Sequence, residues 1–326
     1  MKIAVLGAGA WGAALAISFA ARHEVALWAR KPEDRARLER ERRSRYLPEV
    51  VFPEAIGVVP ELATALRDAD LVLVATATRG LRETLQGIAS IDPEPRLAWA
   101  CKGFEQDSRM LPHEVVADAL PGATRVGVLS GPSFALEVAL GKPTALVFAS
   151  GDAEFAADTA AALNSERLRI YSSADVIGVE LGGSVKNVIA IAAGIADGLA
   201  LGRNARAALV TRGLAEVVRL GVALGGAPQT FMGLTGVGDL VLTCTGDLSR
   251  NREVGVRLAH GRPLESILRE LGHVAEGVPS APSVLALARE NGIEMPITEA
   301  VCAVLFEGRS PSEAVRQLLS RDPKPE

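Results

Sequence analysis

The pattern of apolar and polar residues changes near residue 176 of the chain. Before that point, short apolar runs alternate with stretches of helical periodicity, which predicts strands separated by helices. Strands in this order pair in parallel through helical crossovers, so this half predicts an open, doubly wound α/β sheet. The predicted strands are Ile3–Leu6, Glu24–Trp28, Leu71–Ala75, Leu97–Ala100, Val126–Leu129, Ala145–Ala149 and Leu168–Tyr171.

Beyond residue 176 the chain consists of long stretches rich in alanine and leucine, and glycine follows many of their ends. Glycine is common just past a helix C-terminus, so this half is predicted to be all-helical. The predicted helices cover residues 178–201, 205–224, 250–260, 263–271, 280–291, 297–307 and 311–320. Because 326 residues exceed what one hydrophobic core usually serves, we expect two domains, 1–176 and 177–326.

The composition restricts the class of protein. The net charge is −4, from 35 basic and 39 acidic residues, which argues against a nucleic-acid partner. Three scattered cysteines are too few for a disulfide framework or a metal site, and they suit a reducing cytoplasm. The apolar segment from Val185 to Leu201 contains Lys186 and Asp197, so a helix buried in protein explains it better than a membrane span. We therefore expect a cytoplasmic protein without membrane insertion or a metal ion.

A glycine motif stands at the start of the alternating half. Gly7, Gly9 and Gly12 follow the first strand and open the first helix. The first glycine permits a tight turn, the second lets a pyrophosphate approach the backbone, and the third allows close packing of helix on strand. The helix N-terminus then favours the negative charge of the phosphates. This context predicts an N-terminal Rossmann-type dinucleotide-binding domain, followed by an all-α domain for substrate and catalysis.

The end of the second strand bears on the choice of cofactor. A site specific for NAD normally places an acidic residue there to bind the ribose 2′-hydroxyl, but this chain has Arg30 followed by Lys31. A guanidinium can bind a 2′-phosphate, so the hypothesis is that NADP is preferred over NAD. The alternative is that Arg30 stacks on the adenine.

Lys186 is the first candidate for chemistry, because it lies in an otherwise apolar helix. A buried lysine is costly unless something pairs with it or uses it, and burial favours the neutral amine that acid–base chemistry requires. A lysine that reaches the surface or bonds a carbonyl is the alternative. The histidines do not compete for the role, since none lies in a segment that resembles a site; they are His23, His113, His260 and His273.

A second candidate segment runs from Gly233 to Arg252. Asp239 directly follows its glycine-rich start. Ser249 is a plausible N-cap, and Arg250 with Asn251 would then begin a helix. An arginine at a helix N-terminus is a suitable receptor for a phosphate dianion, although a capped helix after an ordinary glycine turn is the alternative.

Several segments together form a pattern that extends over nearly the whole chain. They are GAGAWGAALA at the N-terminus, Lys102-Gly103, GPSFA at 131–135, GSVKNVIAIAAG at 183–194, GLTGVGDLVLTCTGDLSRNR at 233–252 and VAEG at 274–277. In order and spacing these segments resemble those of the bacterial NAD(P)-dependent glycerol-3-phosphate dehydrogenases. Two substitutions depart from the family: Ala10 stands where serine is frequent, and Ser184 where alanine is usual.

The resemblance implies roles for the matching residues. Lys186 would donate the proton in reduction, with Asp239 beside it. The other substrate-binding residues would be Lys102, Gly131, Ser133, Ser249, Arg250 and Asn251. The cofactor would contact Gly7, Gly9, Ala10, Trp11, Gly12, Arg30, Lys102, Ala135, Arg250, Val274 and Glu276, with Tyr46 a further candidate at its rim.

The implied activity is the interconversion of dihydroxyacetone phosphate and sn-glycerol 3-phosphate with NADPH or NADH. The glycerol 3-phosphate would be supplied to glycerophospholipid synthesis. A homodimer is expected from the frequency of such assemblies. Two alternatives remain: a dehydrogenase of 3-hydroxy acids with the same two-domain plan, and a catalytically silent NAD(P)H-binding regulator. The SRNR segment weighs against the first alternative, and the presence of Lys186 with Asp239 weighs against the second.

Overall fold

The computed structural model describes residues 1–272 and 275–321. These residues form two units, Met1–Glu180 and a second unit that begins at Leu181. The predicted fold class, a doubly wound sheet followed by an all-α part, is confirmed.

The first unit is built on one eight-stranded sheet with the strand order β3-β2-β1-β4-β5-β6-β7-β8. Strand order reverses at β1, so the C-terminal ends of β1 and β4 lie at the position where such sheets bind ligands. The strands are β1 Lys2–Leu6, β2 Glu24–Trp28, β3 Ile56–Val58, β4 Leu71–Val74, β5 Leu97–Trp99, β6 Val126–Ser130, β7 Thr144–Ala149 and β8 Leu168–Ser173.

Helices cover both faces of this sheet. Apolar residues alternate along the strands, so that Ile3 and Val5 of β1 join one core layer while Ala4 and Leu6 join the other. The helices are α1 Ala10–Phe19, α2 Pro32–Glu41, α3 Leu62–Leu66, α4 Leu81–Ala89, α5 Pro112–Ala119, α6 Ala135–Ala139 and α7 Ala153–Leu163, with a short 3₁₀ turn Thr78–Gly80 before α4.

The prediction that all strands pair in parallel is wrong for one pair, because β6 and β7 run antiparallel. The segment between them, residues 131–143, contains one helix, the five-residue α6. A helix of that length spans about 7.5 Å, too short to return the chain along the sheet for another parallel strand. Instead α6 packs against α1, and the chain turns back beside β6. The sequence reading also missed β3, whose three residues are too few to show a pattern.

The second unit is helical throughout its described residues. Helix α8, most of which lies in this unit, passes the length and hydropathy test for a membrane span, but 89% of the tested window is buried inside the protein, as in the core helix of a folded domain. The helices are α8 Val176–Gly198, α9 Arg203–Ala223, α10 Pro228–Phe231, α11 Asp239–Thr245, α12 Arg250–Ala259, α13 Leu264–Leu271, α14 Gly277–Glu290, α15 Pro296–Phe306 and α16 Pro311–Leu319, with a π-helical turn Leu234–Gly238 before α11.

A buried carboxylate joins two helices of this unit. Glu216 of α9 is 2% exposed, and its oxygens accept hydrogen bonds from the amides of Ile297 (2.6 Å) and Thr298 (3.2 Å) in the first turn of α15. The Thr298 hydroxyl donates a third bond, at 3.0 Å. Glu216 therefore satisfies amides that a helix start leaves unpaired. Burial nevertheless raises the pKa of Glu216 to about 7, although these bonds oppose the rise.

Because the folded chain holds this proton more tightly than an unfolded chain with a pKa near 4.5, ionising Glu216 weakens folding progressively between pH 4.5 and 7. We expect Glu216→Gln to remove that dependence. The free energy of unfolding of both proteins can be measured by urea unfolding followed by circular dichroism. The value for the unsubstituted protein minus the value for the variant should fall by roughly 3 kcal/mol from pH 4.5 to pH 8. Parallel pH profiles for the two proteins would contradict the assignment.

Candidate active site

The glycine motif forms a tight loop between β1 and α1. Gly7 has φ +117°, and its amide donates a hydrogen bond to the Trp28 carbonyl at 2.8 Å, which joins the loop to the end of β2. A Cβ at Gly12 would lie 1.9 Å from the Gly7 carbonyl oxygen. The loop therefore requires glycine at both positions, as the sequence predicts. A Cβ at Gly9 would meet no atom within 4 Å, which leaves open space beside the N-terminus of α1.

A cleft of about 390 Å³ opens at this loop. Gly7 and Gly9 line one side, and Thr76, after β4, lines another. Besides the carboxylate of Asp34, the lining contains six cations, Arg30, Lys31, Arg37, Arg43, Arg45 and Arg79. Glycine backbone, a helix N-terminus and clustered cations together suit a ligand rich in phosphate.

Two buried polar atoms beside this loop also fit a bound cofactor. The indole Nε1 of Trp11, in the first turn of α1, has no hydrogen-bond partner among the residues that the structure describes. The Thr76 hydroxyl is likewise unsatisfied within the described part of the chain. Buried polar groups normally have partners, so these atoms are candidates for ligand contacts. The sequence reading named Trp11, whereas Thr76 stands alone after β4 with no motif around it.

Arg30 lies at the cleft but already has a partner. Its guanidinium, 57% exposed, forms an ion pair with Glu83 of α4. Tyr46 is also on the cleft wall, and the Arg45 guanidinium lies over its ring at 4.6 Å from the centroid. A 2′-phosphate would have to compete with Glu83 for Arg30 in this arrangement.

The first unit also brings together three of the residues predicted to bind substrate. The Lys102 ammonium, in the loop after β5, donates to the carbonyl of Gly131 at 3.3 Å. The Ser133 hydroxyl donates to the same carbonyl at 3.0 Å. Gly131 has φ +145°, and Ala135 begins the short helix that follows. A cation and a hydroxyl thus meet where β5 and β6 end.

In the second unit, Lys186 of α8 forms an ion pair with Asp239, the first residue of α11. Lys186 is 6% exposed and Asp239 is fully buried. The Lys186 ammonium also donates to the Thr243 hydroxyl at 3.0 Å, and that hydroxyl donates to the Asp239 backbone carbonyl at 2.6 Å. The alternative of a lysine that reaches the surface is therefore wrong. The partner of Lys186 is the Asp239 carboxylate, which lies one helical turn before the Thr243 hydroxyl.

Thr243 was missed by the sequence reading, although it lies four residues after Asp239. That spacing places both side chains on one face of α11, which could have suggested a joint role. Its neighbour Cys244 is fully buried, and burial raises the pKa of the Cys244 thiol to about 12. A thiol held neutral in this way packs as an apolar group and is a poor nucleophile.

The predicted N-terminus of α12 is confirmed, with Ser249 as its N-cap and Arg250 as its first residue. Asn251 is 8% exposed and donates from Nδ2 to the side-chain oxygen of Asn187 at 2.9 Å. Its own Oδ1 accepts the amide of Gly277, the first residue of α14, at 2.9 Å. These bonds leave Asn251 one further amide N–H to donate. Asn187 was not predicted, although it directly follows Lys186.

Two remaining predictions concern residues near the start of α14. Glu276 is half-buried and immediately precedes that helix. Val274, predicted to contact the cofactor, lies outside the described residues, as does His273.

His113 lies in the first turn of α5, outside the candidate site. Burial opposes its charge, but the buried carboxylate of Glu180 accepts from its Nδ1 at 2.5 Å and raises the pKa of His113 overall. The same carboxylate accepts from the Trp99 indole at 2.7 Å. His113 therefore has a structural partner inside the first unit.

Comparison with known proteins identifies the family. Residues 2–156 match the family model for the N-terminus of NAD-dependent glycerol-3-phosphate dehydrogenase, and residues 175–316 match the model for its C-terminus.

Curated relatives match over the full length. Glycerol-3-phosphate dehydrogenase (NAD(P)+) of Thiobacillus denitrificans is 55% identical over 99% of this chain and 98% of its own, and that of Nitrosospira multiformis is 55% identical over 100% and 99%. The crystal structure of glycerol-3-phosphate dehydrogenase from Coxiella burnetii aligns with a TM-score of 0.94 at 43% identity, covering 98% of this chain and 99% of that one. The chain therefore belongs to the NAD-dependent glycerol-3-phosphate dehydrogenase family.

Proposed function

We propose that the chain interconverts dihydroxyacetone phosphate and sn-glycerol 3-phosphate in the cytoplasm, using NADPH in preference to NADH, and that it supplies glycerophospholipid synthesis. The observation that carries the proposal is the buried Lys186–Asp239 pair in a chain of this family. Residues 1–176 would bind the cofactor, and residues 177–326 would supply the catalytic lysine. No nucleic acid, membrane or metal ion enters this scheme.

In this proposal, Lys186 moves the proton. Its ammonium would donate to the carbonyl oxygen of the substrate as that oxygen gains negative charge, and the amine would take the proton back in oxidation. Asp239 stabilises the ammonium, and Thr243 fixes its direction through the 3.0 Å hydrogen bond. Bound NAD(P)H supplies the hydride.

The phosphate and the cofactor would be held by the other predicted residues. A phosphate dianion fits the N-terminus of α12, where Arg250 supplies charge, Asn251 has an N–H to donate and Ser249 caps the helix. Lys102, Gly131 and Ser133 would also contact the substrate. The cofactor contacts would come from Gly7, Gly9, Ala10, Trp11, Gly12, Arg30, Lys102, Ala135, Arg250, Val274 and Glu276, with Tyr46 at the rim.

Replacing the proton donor tests the reaction. Lys186→Ala should lower kcat for dihydroxyacetone phosphate by roughly a thousandfold, the range that positioned acid–base groups contribute. Oxidation of NADPH followed at 340 nm measures the rate. The affinity for NADPH, from its fluorescence, should be unchanged, because the glycine loop and its cleft lie in the first unit. Lys142→Ala removes an exposed lysine as the matched control. Near-normal turnover by Lys186→Ala would assign the proton to another group.

The preference for NADPH rests on Arg30 and the cations around the cleft. Arg30→Gln should lower kcat/KM for NADPH about tenfold and leave that for NADH nearly unchanged, since only the 2′-phosphate loses a charged partner. Glu83→Gln should favour NADPH, because it removes the carboxylate that competes for Arg30. Arg40→Gln, outside the cleft wall, is the control. An unsubstituted enzyme that favours NADH would refute the preference.

We also propose that the chain is a homodimer, formed through an apolar groove of about 730 Å³ in the second unit. Helices α8, α9, α15 and α16 line the groove, and most of the lining residues are alanine, leucine, isoleucine or valine. Leu319 lines the same groove and is 79% exposed. A two-fold interface brings the same face of both subunits together, so the groove of one copy would receive the exposed Leu319 of the other.

The dimer is tested by light scattering at micromolar concentration. The protein should have twice the chain mass of 34.1 kDa, and Leu319→Glu should shift it to monomer because it buries a charge in the contact. Leu140→Glu changes a leucine of the first unit that is 55% exposed, and it should leave the mass unaltered. A monomeric unsubstituted protein, or a dimer that tolerates glutamate at position 319, would exclude this interface.

A further inference from the structure

Helix α12, which carries the proposed phosphate clamp, lies against α8 with their backbones in contact. A Cβ at Gly194 of α8 would come 1.9 Å from the carbonyl oxygen of Arg252. A Cβ at Gly255 of α12 would come 2.1 Å from the carbonyl oxygen of Ile191. Glycine at both positions therefore sets how closely the two helices approach. Lys186 lies on the same α8, so this contact bears on the geometry of clamp and proton donor within the second unit.

Backbone contact fixes the distance between the helices, but it resists sliding and rotation weakly. Helices normally keep their register through side chains that interdigitate, and a glycine contact offers none at that point. A directional polar contact can supply the missing restraint. The structure has one beside the glycine contact, between Asp197 of α8 and Arg252 of α12.

The Asp197 carboxylate accepts the Arg252 Nε at 2.7 Å, and these side chains are 18% and 19% exposed. Asp197 also accepts from Arg206 of α9 at 3.2 Å. The carboxylate oxygen Oδ1 of the exposed Asp247 lies 3.3 Å from Nη1 of Arg252. The Arg252 charge is thus balanced by two carboxylates, which makes it a poor phosphate ligand and a good anchor.

The anchor and the clamp lie on different sides of the same helix turn. Residues two apart on a helix point about 200° from each other, so Arg252 faces α8 while Arg250 is directed elsewhere. Between them, Asn251 bonds Asn187 of α8 at 2.9 Å. Asn187 and Asp197 are separated by about 15 Å along α8, whereas their partners Asn251 and Arg252 are adjacent at the start of α12. Both bonds therefore hold the first turn of α12, and together they fix the direction in which that turn faces α8.

We propose that Asp197 and Arg252 form a positioning pair that orients the N-terminus of α12 to receive the phosphate of the substrate, an inference that rests on the proposed function. The pair would act through Arg250 and Asn251 and would not contact the substrate itself. Losing it would let α12 rotate about the glycine contact, and the misplaced clamp would bind the phosphate less well.

Kinetics with two substrates test this role. Asp197→Asn keeps the shape of the side chain and removes its charge. It should raise KM for dihydroxyacetone phosphate roughly tenfold, with a smaller effect on kcat, while kcat/KM for dihydroxyacetone, which lacks the phosphate, stays within about twofold. Arg252→Gln should do the same, and the double variant should be no worse than either single one, because both remove one interaction.

Arg206→Gln is the matched control, since it removes the other cation on Asp197 but lies on α9. It should leave KM for dihydroxyacetone phosphate near that of the unsubstituted enzyme. Equal losses with both substrates, additive effects in the double variant or an equal effect of Arg206→Gln would each overturn the positioning role. If the unsubstituted enzyme does not reduce dihydroxyacetone phosphate, the proposed function fails instead, so the two failures are distinguishable.

Discussion

The second unit is organised around a buried charge. Removing an ammonium from water costs several kcal/mol after relaxation, and the cost is recovered only if a counter-charge and hydrogen bonds are held in good geometry. Asp239 and Thr243 meet that requirement for Lys186 because α11 presents both on one face. The π-helical turn before α11 leads directly into Asp239. The local structure from residue 234 to residue 245 therefore supplies the counter-charge and the hydrogen bond that a lysine buried in an apolar helix needs.

The same helix also organises the N-terminus of α12. Asn187, beside Lys186, bonds Asn251, and close contacts at Gly194 and Gly255 bring the two backbones together. Small residues along α8 thus serve packing, while the polar residues between them serve chemistry or attachment. This division explains why a helix with the hydropathy of a membrane span contains a lysine, an asparagine and an aspartate, each with a polar partner.

Sequence reasoning succeeded where one local pattern determines the structure. The glycine spacing from Gly7 to Gly12 requires a tight loop, and a lone lysine in an apolar helix requires a partner. It failed where the structure depends on contacts distant in the chain. Thr76 became visible only when β4 was placed beside the glycine loop, and the antiparallel β7 follows from a helix too short to cross the sheet. Neither fact has a signature of its own in the printed sequence.

The cations around the cleft and the buried Lys186 differ in how strongly water screens their charges. Arg30 is 57% exposed and shares its charge with Glu83, whereas the Lys186 side chain is 8% exposed. At physiological ionic strength exposed charges are screened within about 8 Å, while buried pairs keep most of their interaction. Cations around the cleft can therefore attract a phosphate-rich cofactor and still release it, because each contact contributes little. A proton donor needs a fixed direction more than an adjustable affinity, and burial beside Asp239 supplies that direction. The difference in exposure thus matches the different demands of reversible binding and proton transfer.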